Sequence, residues 1–230
     1  MADLPQPQAR IVDYGMGNLF SVQQACAVAG LQASITSSRE ELLGADAVIL
    51  PGVGAFGDAM ETLTRLRLVS ALQECAASGK PFLAVCLGMQ LLMTESYEFG
   101  RHRGLGIVAG EVVRLDGLSD RPLRCKVPHV GWNRLFPPGE GAADSAADAP
   151  VAAWSGSPCE GLPNGAFMYF VHSYYPQLAD ARVTCTVTRY GGREFCSSLW
   201  NGNLFACQFH PERSGAHGLR IYEHFARQVR

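Results

Sequence analysis

Short apolar runs alternate with stretches of helical period through the first half of this chain, and each run ends in a glycine or a small polar turn. Residues 10–13, 32–35, 47–50 and 81–85 read as strands. Residues 19–29 read as a helix, with Val22, Ala25, Cys26 and Ala29 on one face and Gly30 as its stop. Ser37 or Ser38 caps a short helix that ends near Gly44, residues 66–77 form another that closes at Gly79, and residues 89–95 are helical directly after Cys86. Strands that are apolar throughout are covered on both faces, and strand–helix–strand repetition makes such a sheet parallel. The second half is richer in strands, at 111–114, 167–171, 183–190, 195–200 and 204–209, and ends in a helix over 215–227. The expected fold is therefore α/β, a central, mostly parallel sheet flanked by helices, with additional antiparallel strands in the C-terminal half.

A chain of 230 residues is long enough for one substantial core. Residues 1–9 read as a disordered lead-in without the apolar region of a signal peptide. Residues 10–230 read as a single domain carrying a solvated loop insertion at 137–153, rich in Pro, Gly, Ala and Asp. A formal net charge of −2 argues against a nucleic-acid partner. No apolar run approaches the ~20 residues that span a bilayer. The eight cysteines include no CxxC pair, so neither a disulfide framework nor a structural zinc site is expected, and nothing in the sequence calls for a metal or organic cofactor.

Cys86 is the exception among those cysteines. Ala84-Val85-Cys86-Leu87-Gly88 lies at a strand-to-helix junction, where a sharp turn presents a nucleophile above the sheet. Free N–H groups there stabilise a thiolate, and the N–H of Leu87 is the natural donor to an oxyanion. Taken alone, a buried structural cysteine is as good a reading. The other end of the chain shifts the balance: Gln208-Phe209-His210-Pro211-Glu212 follows an apolar strand. Pro211 is expected to keep this segment extended, so that His210 and Glu212, two apart, face the same side. The carboxylate then orients the imidazole toward the thiol. Pro51-Gly52-Val53-Gly54 follows a third strand end and either supplies a second oxyanion donor or is a plain turn. A phosphate loop is a weak alternative because no Lys-Ser/Thr follows.

Together these segments resemble the class I glutamine amidotransferases, a triad family with a cysteine elbow and a C-terminal His-x-Glu. Further stretches narrow the resemblance: residues 13–18 (DYGMGN), 50–56 (LPGVGAF), 86–92 (CLGMQLL), 127–133 (VPHVGWN), 169–174 (YFVHSY) and 208–212 (QFHPE) are similar to the glutaminase subunits of imidazole glycerol phosphate synthase. The likeness runs from about residue 10 to the end; it departs from the pattern at Ala84, where glycine is usual, and in the length of the 137–153 insertion. It implies a Cys86–His210–Glu212 triad and an oxyanion site formed by Leu87 N–H and the Gly52–Val53 segment after a peptide reorientation. It implies glutamine contacts at Gln90, Glu98, Ser173 and Tyr174. From the residues alone, Gln90 would be a solvated helix position and Glu98 a surface acid. It implies a (β/α)8 cyclase partner in a heterodimer, met by Pro128, His129 and Trp132 with Asn18 on the same side, and a cytoplasmic setting. Composition alone would make Trp132 a core aromatic. Rival expectations are a glutaminase of another complex, such as one making pyridoxal phosphate, a free-standing cysteine peptidase or γ-glutamyl hydrolase, and an inactive interaction module.

Overall fold

The computed structural model describes residues 7–116, 126–139 and 151–229. Its principal sheet has seven strands in the order β11-β12-β13-β4-β3-β1-β2. The strands are β1 (Gln8–Val12), β2 (Gln32–Thr36), β3 (Ala47–Leu50), β4 (Phe82–Val85), β11 (Thr184–Tyr190), β12 (Arg193–Asn201) and β13 (Leu204–Cys207). From β13 to β2 every neighbouring pair is parallel, whereas β12 is antiparallel to both β11 and β13. A second sheet, ordered β10-β7-β5-β6, is built from β5 (Glu95–Ser96), β6 (His102–Arg103), β7 (Gly110–Arg114) and β10 (Tyr174–Leu178). Strands β8 (His129–Arg134) and β9 (Phe167–His172) form a separate antiparallel ribbon.

The apolar central strands bury both faces, as their lack of alternation implies. Ile49, Leu83 and Val85 point to one core with Val22 and Cys26 of helix α1 (Leu19–Val28) and Ile221, Tyr222 and Phe225 of the last helix, which is Gly215–Gln228. Val48, Leu50, Phe82 and Ala84 point the other way, onto helices packed on the opposite face. Those helices include α2 (Arg39–Leu43), N-capped by Ser38, then α3 (Phe56–Arg65) and α4 (Val69–Ala77). Among the described residues the remaining α-helices are α5 (Leu87–Leu91) and the last one, α6.

Several boundaries differ from expectation. The helix read at 66–77 starts at Val69, because Arg67 has a positive φ of 58° and breaks the chain direction. The helix before it, α3, carries Phe56, Ala59 and Leu63 inward with Met60 packed beside them, and no side chain of its own N-cap residue caps it. The segment read as helical at 89–95 is one five-residue turn, α5, after which the chain enters β5. Strand β10 was not expected because it contains Pro176, yet it is an edge strand of its sheet, where a missing N–H is tolerated. Residues 8 and 9, read as part of the lead-in, belong to the sheet: β1 begins at Gln8, and Ala9 is fully buried. Residues 1–6 and 140–150, which hold most of the lead-in and of the insertion, lie outside the described residues. The insertion's far end returns at a 3-10 turn, Ala152–Trp154, whose buried indole donates to the carbonyl of Cys185 at 2.9 Å. No described helix is long and apolar enough to cross a membrane.

Candidate active site

Cys86 sits between β4 and α5 with φ 54° and ψ −108°, a conformation that costs a non-glycine residue about 1–3 kcal/mol. Its surroundings over-determine it. The Cys86 N–H donates to Cys207 O of β13 at 2.7 Å, and the Cys86 carbonyl accepts from Met89 N–H at 3.0 Å. Gly88 is required at the next turn, because a Cβ there would occupy the position of the Leu50 carbonyl oxygen. Ala84 is accommodated within extended β4, its methyl buried in the second core. At five residues α5 contributes little dipole, so what the elbow offers is its local N–H groups.

His210 follows β13, and its Nδ1 lies 2.8 Å from Oε1 of Glu212. The extended segment expected here is absent: Pro211–Arg213 is a 3-10 turn with His210 as its N-cap. The turn curls the carboxylate back under the ring, so the pair forms by a tighter route than alternation. His210 is fixed from three sides. Its N–H donates to Tyr169 O at 2.9 Å, its carbonyl accepts from the Ser214 hydroxyl at 2.6 Å, and that hydroxyl accepts from Tyr169 N–H at 3.0 Å. Nε2 is buried and bonds no other protein nitrogen or oxygen, which leaves it to the Cys86 sulfur and a reacting group. Burial works against a charged ring, but Cys86 and Glu212, each through charge and a hydrogen bond, outweigh it and raise His210 from 6.5 to about 10.

A cleft of about 340 Å³ opens beside the thiol, lined by Val53, Gly54, Cys86, Leu87, Gln90, Glu98, Pro128 and residues 171–174. It thus gathers Gln90, Glu98, Ser173 and Tyr174 around Cys86. Gln90 is buried, and its Nε2 donates to Tyr174 O and to Gln208 Oε1, each at 3.0 Å. Glu98 accepts the Phe56 N–H at 2.6 Å and so supplies the cap that α3 lacks; burial raises its pKa. Leu87 N–H is already engaged, donating to Gly52 O at 3.3 Å. In a trans peptide the N–H points opposite to the C=O, so with Gly52 O on Leu87 N–H the Val53 N–H faces away from that donor. Tyr14 holds this loop from beneath, its hydroxyl donating to Pro51 O at 2.9 Å.

Two contacts had no role assigned from sequence. Gln208 Nε2 donates to Cys86 Sγ at 3.6 Å, and Tyr14 is buried against the Pro51–Gly52 turn. A polar Gln208 ending an otherwise apolar strand was the available signal for the first. Of the residues assigned to a partner, Asn18 caps α1 by accepting Ser21 N–H at 3.2 Å and lines a small cleft with Gly52, Val53, His210 and Glu212. Pro128 borders the main cleft. Trp132 is 55 % exposed, at the edge of the Tyr169 ring, and is not the core aromatic that composition suggested. His129 departs from the expectation of a partner contact: it is 2 % exposed, stacked on Phe170 and Tyr190, because it points to the opposite face of β8 from Trp132. Among the described residues no group of three or more His, Cys, Asp or Glu could hold a metal ion.

Residues 10–229 match the family model described as glutamine amidotransferase class-I. The chain is 44 % identical over 216 residues to the imidazole glycerol phosphate synthase subunit HisH of Rhodopirellula baltica, covering 94 % of this chain and 95 % of that one. It is 45 % identical over 220 residues to the subunit of the same name from Aquifex aeolicus, covering 95 % and 96 %. The chain belongs to the class-I glutamine amidotransferase family. Solved structures agree at the level of this amidotransferase fold: PurLQS from Thermotoga maritima superposes with a TM-score of 0.69 at 18 % identity, covering 98 % of this chain and 100 % of that one. A putative GMP synthase subunit from Thermoplasma acidophilum gives 0.65 at 15 % identity, covering 98 % and 95 %.

Proposed function

We propose that the chain is the glutaminase subunit of imidazole glycerol phosphate synthase, hydrolysing L-glutamine to glutamate and ammonia within one domain spanning residues 10–230. The observation that carries this reading is the buried Glu212–His210 pair, held at 2.8 Å with Nε2 bonded to no other nitrogen or oxygen and so left to the thiol at the Cys86 elbow. Identities of 44 % and 45 % to HisH subunits over nearly the full chain support the choice of complex.

Cys86 sulfur attacks the side-chain amide carbon of glutamine. His210 gives its proton to the departing ammonia, leaving a glutamyl thioester, then takes a proton from the water that cleaves it. Glu212 holds the ring so that Nε2 is the working nitrogen. Gln90, Glu98 and the Ser173–Tyr174 backbone receive the glutamine head group. The oxyanion needs Leu87 N–H, which Gly52 O now occupies. Turning the Gly52–Val53 peptide over releases that donor and brings Val53 N–H inward, so the resting chain is braked and a docked partner releases it.

Free ammonia protonated in bulk water loses its nucleophilic lone pair, so the product requires a sheltered route into an acceptor subunit. That partner is a (β/α)8 cyclase, forming a cytoplasmic heterodimer. It uses the ammonia to convert a phosphoribulosyl formimino ribonucleotide into imidazole glycerol phosphate and an aminoimidazole carboxamide ribonucleotide, in histidine biosynthesis. Asn18, Pro128 and Trp132 meet it. Glutamate release is measured for the chain alone and with the cyclase plus its nucleotide ligand. Near silence alone and strong activity in the complex, abolished by Cys86→Ala, is the expected result. Full activity alone, indifferent to the cyclase, refutes it.

A further inference from the structure

Behind the cleft lies a series of hydrogen bonds that the mechanism above does not use. His172 ends β9, and its Nδ1 is 2.9 Å from the carbonyl oxygen of Tyr174. A carbonyl only accepts, so Nδ1 carries the proton and Nε2 presents a lone pair. That lone pair faces Nδ1 of His129 at 3.0 Å, which must therefore be the donor. His129 Nε2 is left as an acceptor, and the group facing it at 3.2 Å is the amide nitrogen of Asn133. The Asn133 amide is itself oriented, because its nitrogen also donates to Arg189 O at 3.0 Å and its oxygen accepts Arg134 N–H at 2.8 Å. Read from either end, each ring has one tautomer, and all donors point toward Tyr174 O.

The arrangement tolerates no extra proton, since a second N–H on either ring would face another donor. The surroundings agree. Both rings are buried. Burial lowers His129 to about 4, and burial lowers His172 to about 3 against the opposing bond to Tyr174. Tyr174 O receives Gln90 Nε2 as well, so the same carbonyl holds two donors at 2.9 and 3.0 Å. Gln90, His172, Ser173 and Tyr174 all line the cleft beside Cys86.

We propose that His172, locked as its Nδ1–H tautomer by His129 and Asn133, is a positioning residue that holds the Ser173–Tyr174 backbone in the geometry that receives the glutamine head group. The inference rests on the glutaminase reading above. Because His172 touches no reacting atom in this scheme, its loss weakens glutamine binding more than turnover.

The test uses the complex with the cyclase, in two measurements. Nitrogen NMR of the histidine-labelled chain is expected to find both His129 and His172 as neutral Nδ1–H tautomers. His129→Phe keeps an aromatic ring against Phe170 and Tyr190 but removes both hydrogen bonds. It is expected to release the His172 tautomer and raise the KM for glutamine roughly three- to tenfold, the worth of one hydrogen bond, with kcat within about twofold. His172→Asn, which keeps an N–H donor near the Nδ1 position, is expected to retain most of the affinity that His172→Leu loses. An Nε2–H tautomer at His172 in the unmutated chain overturns the proposal, and so does an unchanged KM in folded His129→Phe. Equal KM values for His172→Asn and His172→Leu overturn it too. If the unmutated complex releases no glutamate, the glutaminase reading fails instead, and the NMR measurement still decides the tautomer.

Discussion

Tyr14→Phe removes one oxygen from the loop that blocks the oxyanion site. Tyr14 is 2 % exposed, and its hydroxyl donates to Pro51 O at 2.9 Å, one peptide before the Gly52 carbonyl that occupies Leu87 N–H. A neutral hydrogen bond of this kind contributes about 1 kcal/mol net, equivalent to a factor of about five in an equilibrium constant. The bond tethers the resting conformation, so its removal raises the population of the turned-over Gly52–Val53 peptide about fivefold while that state is rare. Glutamate release by the partner-free chain is the assay, and an increase of about fivefold is expected. In the cyclase complex, where the peptide has already turned, the change stays within about twofold. Stability drops by the same ~1 kcal/mol, which lowers Tm by about 3 °C for a chain of this size. A fall in Tm without any rise in partner-free activity would refute the reasoning. Tyr14 would then hold the loop equally in both states, and the Gly52 carbonyl would not be the brake.

Gly88→Ala places a methyl group on the Leu50 carbonyl oxygen, a backbone atom that cannot swing aside; destabilisation at or above the usual 1–3 kcal/mol of overpacking is expected in thermal melts. His210 is raised from 6.5 to about 10, so the stability its proton contributes is fully present below about pH 6.5 and is lost as pH climbs toward 10. Urea unfolding should show that decline in the unmutated chain, and His210→Gln should flatten it; equal slopes would mean that the folded ring is neutral. Trp132→Ala, at a 55 % exposed position, should alter monomer stability by less than about 0.5 kcal/mol yet weaken cyclase binding by more than about 2 kcal/mol, measured by calorimetry.

The elbow was legible because everything that defines it is local: an apolar strand, a cysteine and a glycine within seven residues, 82–88. The pairing of His210 with Glu212 was also anticipated, but through an extended strand where the chain makes a 3-10 turn, since Pro211 fits the first position of either. Helix α3 was hidden because its N-terminal partner, Glu98, lies 42 residues away from Phe56 and leaves no capping signature in the segment itself. His129 and Trp132 were assigned to one surface although they are three residues apart on a strand, an odd spacing that sends them to opposite faces. The resting state of the Gly52 carbonyl depends on a contact between two loops, and residue types do not specify which way a peptide faces.

The order of the sheet explains why the site closes at all. Strands β13, β4, β3 and β1 are neighbours and run parallel, so their carboxyl ends meet along one edge. His210 follows the first, Cys86 the second, Gly52 the third and Tyr14 the fourth. A base, a thiol, a loop carbonyl and the tyrosine that tethers it are thus delivered side by side from segments up to about two hundred residues apart in sequence. Strand β13 reaches this edge only because β12 runs the opposite way and the turn after Asn201 reverses the chain. Had the last strand entered antiparallel to β4, its carboxyl end, and His210 with it, would lie at the far edge of the sheet. The antiparallel strand β12, between the reversals that follow Tyr190 and Asn201, therefore sets the direction of β13 that brings the base to the thiol.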